Sequence, residues 1–315
     1  MQDDKCDYFT IFNSRPQISS DDIETSRPVY EHNYDVIHYK LVQNVNIVEE
    51  GIVASAYVTV DSTVDGLDEI NFDFCGLEVD GVYRDGNSLS YTMYENEEYI
   101  NIKLDRNFNI GERFTIQVDY HGEPEDCLAF SNDYAFTYAW PDLAHYLYPC
   151  YDDPSDKAES SEVVVTVPDN YYVASNGTLL SVHDDGDRKT YHWYESYPIA
   201  TYLMCYHCYP YAIVEYSYNS MPVLGYVEPD QYDDAFIFLE NQAEMIECFA
   251  TRFMIEYPFI TEKYAIATCP IGGGMENQTC TSIGSSYVRG DHYYDWLLAH
   301  ECAHSWWGDM VTCET

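Results

Sequence analysis

Alternation of apolar and polar residues dominates the first two thirds of the chain. Between Ile70 and Phe74, the residues Ile70, Phe72 and Phe74 fall on one side, and Asn71 and Asp73 on the other. Ile100, Ile102 and Leu104 repeat the pattern, and Phe114, Ile116, Val118 and Tyr120 alternate with Thr115, Gln117 and Asp119. Successive side chains of a strand point to opposite faces, so a period of two predicts half-buried strands. The run Glu162–Val167 predicts a buried strand closed by Pro168. Asp80-Gly81, Asp85-Gly86, Asn176-Gly177 and Asp185-Gly186 predict turns that need a left-handed residue. Residues 28–215 are therefore expected to be mostly β. Residues 1–27 lack periodicity and read as an extension.

The period changes beyond Met221. Phe238, Leu239, Ile246, Phe249, Ala250 and Phe253 recur at helical spacing, and Pro258 is expected to stop that helix. A short strand over 263–269 and a glycine-rich stretch follow. A last helix is expected to start at Asp291 as N-cap and to end near Gly308. Residues 216–315 thus read as the opening of an α/β unit behind a β unit, an α+β fold class.

Composition narrows the function classes. The chain has 315 residues, enough for two domains, and is 46% hydrophobic, enough for sizeable cores. Its formal net charge of −41 argues against nucleic acid and anionic lipid as partners. No apolar run approaches the ~20 residues of a membrane span. The N-terminus lacks the basic and apolar regions of a signal peptide, which leaves a cytoplasmic or a secreted setting open. Oligomeric state is equally open. The 11 cysteines are odd in number and lie mostly in apolar stretches, which suits buried reduced thiols. Cys205 and Cys208 have CxxC spacing but no second pair, and packing is the expected role. The sequons at Asn176 and Asn277 are read as chance.

The chemistry concentrates near the end. His300 and His304 are four residues apart, so on a helix both imidazoles share one face and can hold one metal ion. Glu301 stands beside them. Zinc lowers the pKa of a water toward ~7, and a carboxylate so placed can take the proton and later deliver it to a leaving amine. His300 and His304 are thus metal ligands and Glu301 the general base. Upstream, Gly272–Asn277 reads Gly-Gly-Gly-Met-Glu-Asn, a loop whose bare backbone can approach a ligand closely.

Together these motifs resemble the gluzincin zinc aminopeptidases, the family of aminopeptidase N and leukotriene hydrolase, in a bacterial-type form. Tyr148–Ser160 and Tyr197–Cys205 resemble two further elements of that family, in the same order. The resemblance implies a saddle-like β domain followed by a thermolysin-like catalytic domain, zinc as cofactor, and peptides with a free N-terminus as substrates. It implies that Glu276 binds the substrate α-amine, that Gly273 and Gly274 contact the substrate backbone, and that Met275 and Asn277 complete the substrate-binding loop. The family takes its third zinc ligand from a Glu well beyond the second His, and a transition-state Tyr from further on. Eleven residues follow His304 here, and Glu314 lies too close along the chain to take that part. The chain is therefore expected to be the N-terminal part of such an enzyme, inactive by itself, with Trp296, Leu298, Trp306 and Trp307 left uncovered. An endopeptidase of thermolysin type, a non-catalytic scaffold binding a protein partner, and a leukotriene-hydrolase-like bifunctional enzyme are the alternatives.

Overall fold

The computed structural model describes residues 32–312. The extension expected over residues 1–27, and Glu314, lie outside them. The alternating runs form an eight-stranded sheet in which Gly51–Ser62 pairs antiparallel with Tyr34–Asn46 on one side and Arg113–Gly122 on the other. Its register sets Val58 opposite Ile116, Ala56 opposite Val118 and Ala54 opposite Tyr120. All six are buried, so the period of two becomes one continuous apolar face. A three-stranded sheet closes over it, with Ile70 opposite Ile102 and Phe72 opposite Ile100. Burying one such side chain contributes about 1.5–3 kcal/mol, and this shared core is the main stabiliser of the β region.

The strand Ser160–Pro168 does end at the proline, but it is not buried throughout. Ser161, Val163, Val165 and Val167 face the core while Glu162, Val164 and Thr166 are half-buried, because the strand has neighbours on both edges and a core on one face only. Asp85-Gly86 and Asp185-Gly186 form the expected turns, with positive φ at Asp85, Gly86 and Gly186. Asp80-Gly81 does not. It sits inside the strand Glu78–Arg84 at a register shift, where the Tyr83 ring covers the glycine.

A four-stranded sheet follows, in the order Tyr172–Ser175, Tyr206–Tyr209, Tyr134–Thr137, Leu128–Ser131. Against it packs a mixed five-stranded sheet in the order Ala212–Tyr218, Met221–Val227, Tyr264–Cys269, Cys280–Gly284, Gly274–Met275. The strands Tyr264–Cys269 and Cys280–Gly284 pair in parallel and are buried at every position, the pattern of strands covered on both faces. Tyr264, Ile266 and Ile283 face a core shared with helices, whereas Ala265, Ala267, Cys269 and Cys280 join the β core.

Among the described residues the α-helices are α1 (Tyr232–Leu239), α2 (Gln242–Phe253) and α3 (Asp295–His304). The single helix expected before Pro258 is thus two, broken at Glu240-Asn241. It stops at Met254, four residues before the proline, because Met254 turns left-handed (φ 57°) and the Ile255 N–H folds back on the Ala250 carbonyl at 3.2 Å. Asp291 is not the N-cap of α3. Its carboxylate accepts from the Tyr293 N–H at 3.1 Å, and the helix begins one turn later. Trp296 and Trp307 are exposed as expected. Leu298 and Trp306 are not: Leu298 faces the sheet core, and the Trp306 ring lies among Phe249, Phe253 and Tyr257 with its N–H donated to the Ile255 carbonyl at 3.1 Å. Among the described residues, no helix is long and apolar enough to cross a membrane.

Candidate active site

Helix α3 carries the metal-binding pattern because its apolar residues fix its rotation. Leu297, Leu298, Glu301 and Cys302 form the buried face, which leaves His300 and His304 on the flank toward solvent. The two Nε2 atoms stand 3.3 Å apart, with the rings nearly perpendicular. Two nitrogens bound tetrahedrally at the usual Zn–N distance of ~2.0–2.1 Å would be separated by about 3.4 Å. The Nδ1–H of His304 is donated to the Trp307 carbonyl at 2.9 Å, which fixes the tautomer that keeps Nε2 basic. Gly308 permits this, since its positive φ (150°) places it within 3.1 Å of that Nδ1 at the position a Cβ would take. His300, Glu301 and His304 are one of the clusters of ligating side chains in the described residues. The donor set fits zinc.

Glu301 lies on the core side of the pair and is only 4% exposed. Burial, and after it the charge of Glu276, pushes its carboxyl up to about 8. The reason for a glycine above it is steric. The short strand Gly274–Met275 runs antiparallel to Cys280–Gly284, which turns Gly274 toward α3. A Cβ there would sit 2.6 Å from Glu301 Oε1 and 2.8 Å from Cδ. Gly273 has positive φ (91°), and its carbonyl accepts from the Gly284 N–H at 2.9 Å. Glu276 then reaches across to α3, its Oε1 3.9 Å from His304 Nδ1, with 18% of the side chain exposed. Met275 turns the other way, toward the β core. Asn277 also points inward and donates to the Ser282 hydroxyl at 2.7 Å, so its side chain holds the loop. The structure therefore brings Glu276 and Gly274 to the imidazoles and turns Met275 and Asn277 away from them.

Sequence reasoning missed the residues that brace this arrangement. Lys157 donates to the Asp309 and Met310 carbonyls, tying the β region to the turn behind α3. Lys263 is buried and donates to the Ser175 carbonyl at 2.8 Å and the Thr279 carbonyl at 3.2 Å, tying the loop to the four-stranded sheet. Lys157 lies in the family-like stretch Tyr148–Ser160, whose pattern does not tell what the lysine holds, and Lys263 lies in unremarkable local sequence, where only its burial distinguishes it.

Comparisons with known proteins bear on the family and the fold. Residues 35–203 match the Peptidase M1 N-terminal domain and residues 237–315 the Peptidase family M1 domain. The chain is 24% identical to leucine aminopeptidase 2 of Saccharomyces cerevisiae over 92% of its own length and 46% of that protein. It is 23% identical to leukotriene A-4 hydrolase of Xenopus laevis over 90% of its length and 48% of that protein. It thus spans about half the length of these relatives. The structure of an M1 zinc metallopeptidase from Deinococcus radiodurans superimposes with a TM-score of 0.75 at 20% identity, covering 90% of this chain and 67% of that one. The strand-rich N-terminal region and the partial α/β region behind it are the fold of that protein. With one family description covering more than half of its residues and a second covering its end, the chain belongs to peptidase family M1.

Proposed function

We propose that this chain carries the substrate-anchoring half of a zinc-dependent aminopeptidase. The observation that carries the reading is the second carboxylate. Glu276 is held beside His304 by a strand that only glycine at 274 allows so close to Glu301. A substrate ammonium bound there is fixed at a set distance from the base, and a charge-assisted bond in a half-buried cleft is strong. That geometry favours removal of single N-terminal residues over internal cleavage. The names of the relatives, leucine aminopeptidase among them, support it, and a related structure is described as bound to a Tyr-Ser-Ala substrate.

His300 and His304 would hold the zinc, which supplies Lewis acidity and lowers the pKa of a water. Glu301 accepts a proton at its carboxylate and returns it to the departing amine. Gly273 and Gly274, without side chains and at the edge of the five-stranded sheet, leave room for a substrate backbone to align alongside. Among the described residues, no further carboxylate stands with the two imidazoles where a third ligand would be needed. We therefore propose that these 315 residues bind zinc weakly and turn over little by themselves. Tight binding of zinc at the imidazole pair together with hydrolysis of aminoacyl-anilides by this chain alone would refute that.

The anchoring reading is tested by blocking the amine. An enzyme in which this site is completed by a third zinc ligand should cleave free peptides and lose at least ~10²-fold in kcat/KM on their N-acetylated forms, and Glu276→Gln in it should raise KM for free peptides only. Equal cleavage of blocked and free peptides would favour a thermolysin-like endopeptidase instead. Glu301→Gln should lower kcat by about 10²–10⁴ with zinc retained.

A further inference from the structure

The five-stranded sheet presses Cys280 against the β core, directly opposite the strand Tyr206–Tyr209. Cys205, His207 and Cys280 meet there, each with a ligating atom within 4.8 Å of the other two. None is more than 2% exposed. The CxxC spacing of Cys205 and Cys208 alone makes a poor metal motif. The structure shows a different set: Cys208 lies apart, and the third donor arrives from 73 residues downstream. We propose that Cys205, His207 and Cys280 form a second, structural metal site for a thiophilic ion of the Zn(II) or Cu(I) kind, pinning the two sheets together behind the substrate loop.

The arrangement has the features of a built site. His207 Nε2 is 2.7 Å from the Ser282 hydroxyl, which also accepts from Asn277. In the tautomer that donates Nε2–H to Ser282, the opposite nitrogen presents a lone pair, and Nδ1 is buried with no hydrogen-bond partner. An imidazole oriented by an outer hydrogen bond, with its other nitrogen unsatisfied in a dry interior, is how metal-binding histidines are held. Two thiolates and one imidazole select soft ions, and the thiolates supply negative charge to offset the cation. Metal binding would release both thiol protons, from Cys205 and Cys280, and no redox change is required. The outer bond leads from His207 through Ser282 to Asn277, so the ion would stiffen the base of the Gly273–Asn277 loop.

The test uses the whole chain with His300→Ala, which disables the helical site. After incubation with Zn(II) or Cu(I) under reducing conditions, it should retain about one ion of at least one of the two per chain after desalting. The Co(II)-loaded protein should show a thiolate-to-cobalt charge-transfer band. Adding Cys280→Ser or Cys205→Ser should abolish both, while Cys248→Ser, at an exposed thiol, should not. If the buried serine variants do not fold, X-ray absorption of the metal-loaded His300→Ala protein decides through its sulfur scatterers. Retention of less than about a tenth of an ion per chain, an edge spectrum of nitrogen and oxygen donors alone, or a Cys205–Cys280 disulfide in the protein as isolated would each overturn the proposal. Loss of peptidase activity would not bear on it, nor would an empty sulfur site bear on the peptidase reading.

Discussion

Lys263→Met should be one of the most damaging single changes outside the apolar cores. The ammonium is 3% exposed and donates to the Ser175 and Thr279 carbonyls; the Thr279 hydroxyl lies 3.4 Å away and itself donates to Glu195 Oε2 at 3.1 Å. Glu262 lies beside Glu195, accepting from the Ser196 N–H at 2.8 Å and its hydroxyl at 2.7 Å. Burial, and after it the charge of Glu262, raises the Glu195 carboxyl well above its ordinary range. Burial lowers the Lys263 ammonium as well, opposed by the negative groups around it, so its place in the interior depends on the acceptors it donates to. Methionine keeps most of the packing against Trp193, whose ring centre is 5.0 Å from Nζ, but removes the charge and the donors. Losing the donor leaves the Ser175 and Thr279 carbonyls without it in the interior, at about 1–3 kcal/mol each, and the retained packing places the expectation at ~3 kcal/mol. Urea unfolding at neutral pH, followed by tryptophan fluorescence and circular dichroism, measures it. A variant that loses less than about 1 kcal/mol would show that the two carbonyls do not depend on the Lys263 donor.

Gly274→Ala should displace the Glu301 carboxylate by about 1 Å, because the new Cβ would lie 2.6 Å from Oε1. In an enzyme whose site is completed by the third zinc ligand, peptidase kcat should fall about 10²-fold while zinc affinity stays unchanged, and unchanged turnover would show that Glu301 is not the base. Asp156→Asn should stabilise the protein at pH 8 and not at pH 4. Burial, then the charges of Asp35 and Asp153, raises its carboxyl from 3.8 to about 7, so the folded state disfavours ionisation and stability is lost as pH climbs between those values. The gain at pH 8 should be about 1–3 kcal/mol, discounted for partial solvent contact, and a pH-independent effect would argue against it. Trp306→Ala should cost about 3–5 kcal/mol and Trp307→Ala less than about 1, since the first ring is 1% exposed and the second 60%. Thermal unfolding of the two variants side by side checks the contrast.

The sequence by itself determined what depends on local geometry. An i, i+4 pair of histidines shares a helix face whatever surrounds the helix, so His300, His304 and the neighbouring Glu301 were legible, as were the strands with a clean period of two. The glycine loop was legible as a loop that tolerates close approach, and its motif carried the family. Local signals misled where neighbours decide. The Asp80-Gly81 pair became a bulge because its strand is paired on the far side, and Trp306 was buried because α2 ends early enough to cover it. The tertiary structure alone decided which faces meet. It set Gly274 over Glu301, brought Glu276 to His304 across 28 residues, enclosed Lys263 with two carboxylates, and gathered Cys205, His207 and Cys280 from two sheets. Periodicity says that a residue faces inward. Which other inward-facing residue it meets depends on register and sheet packing, and the chemistry of a site lies in that meeting.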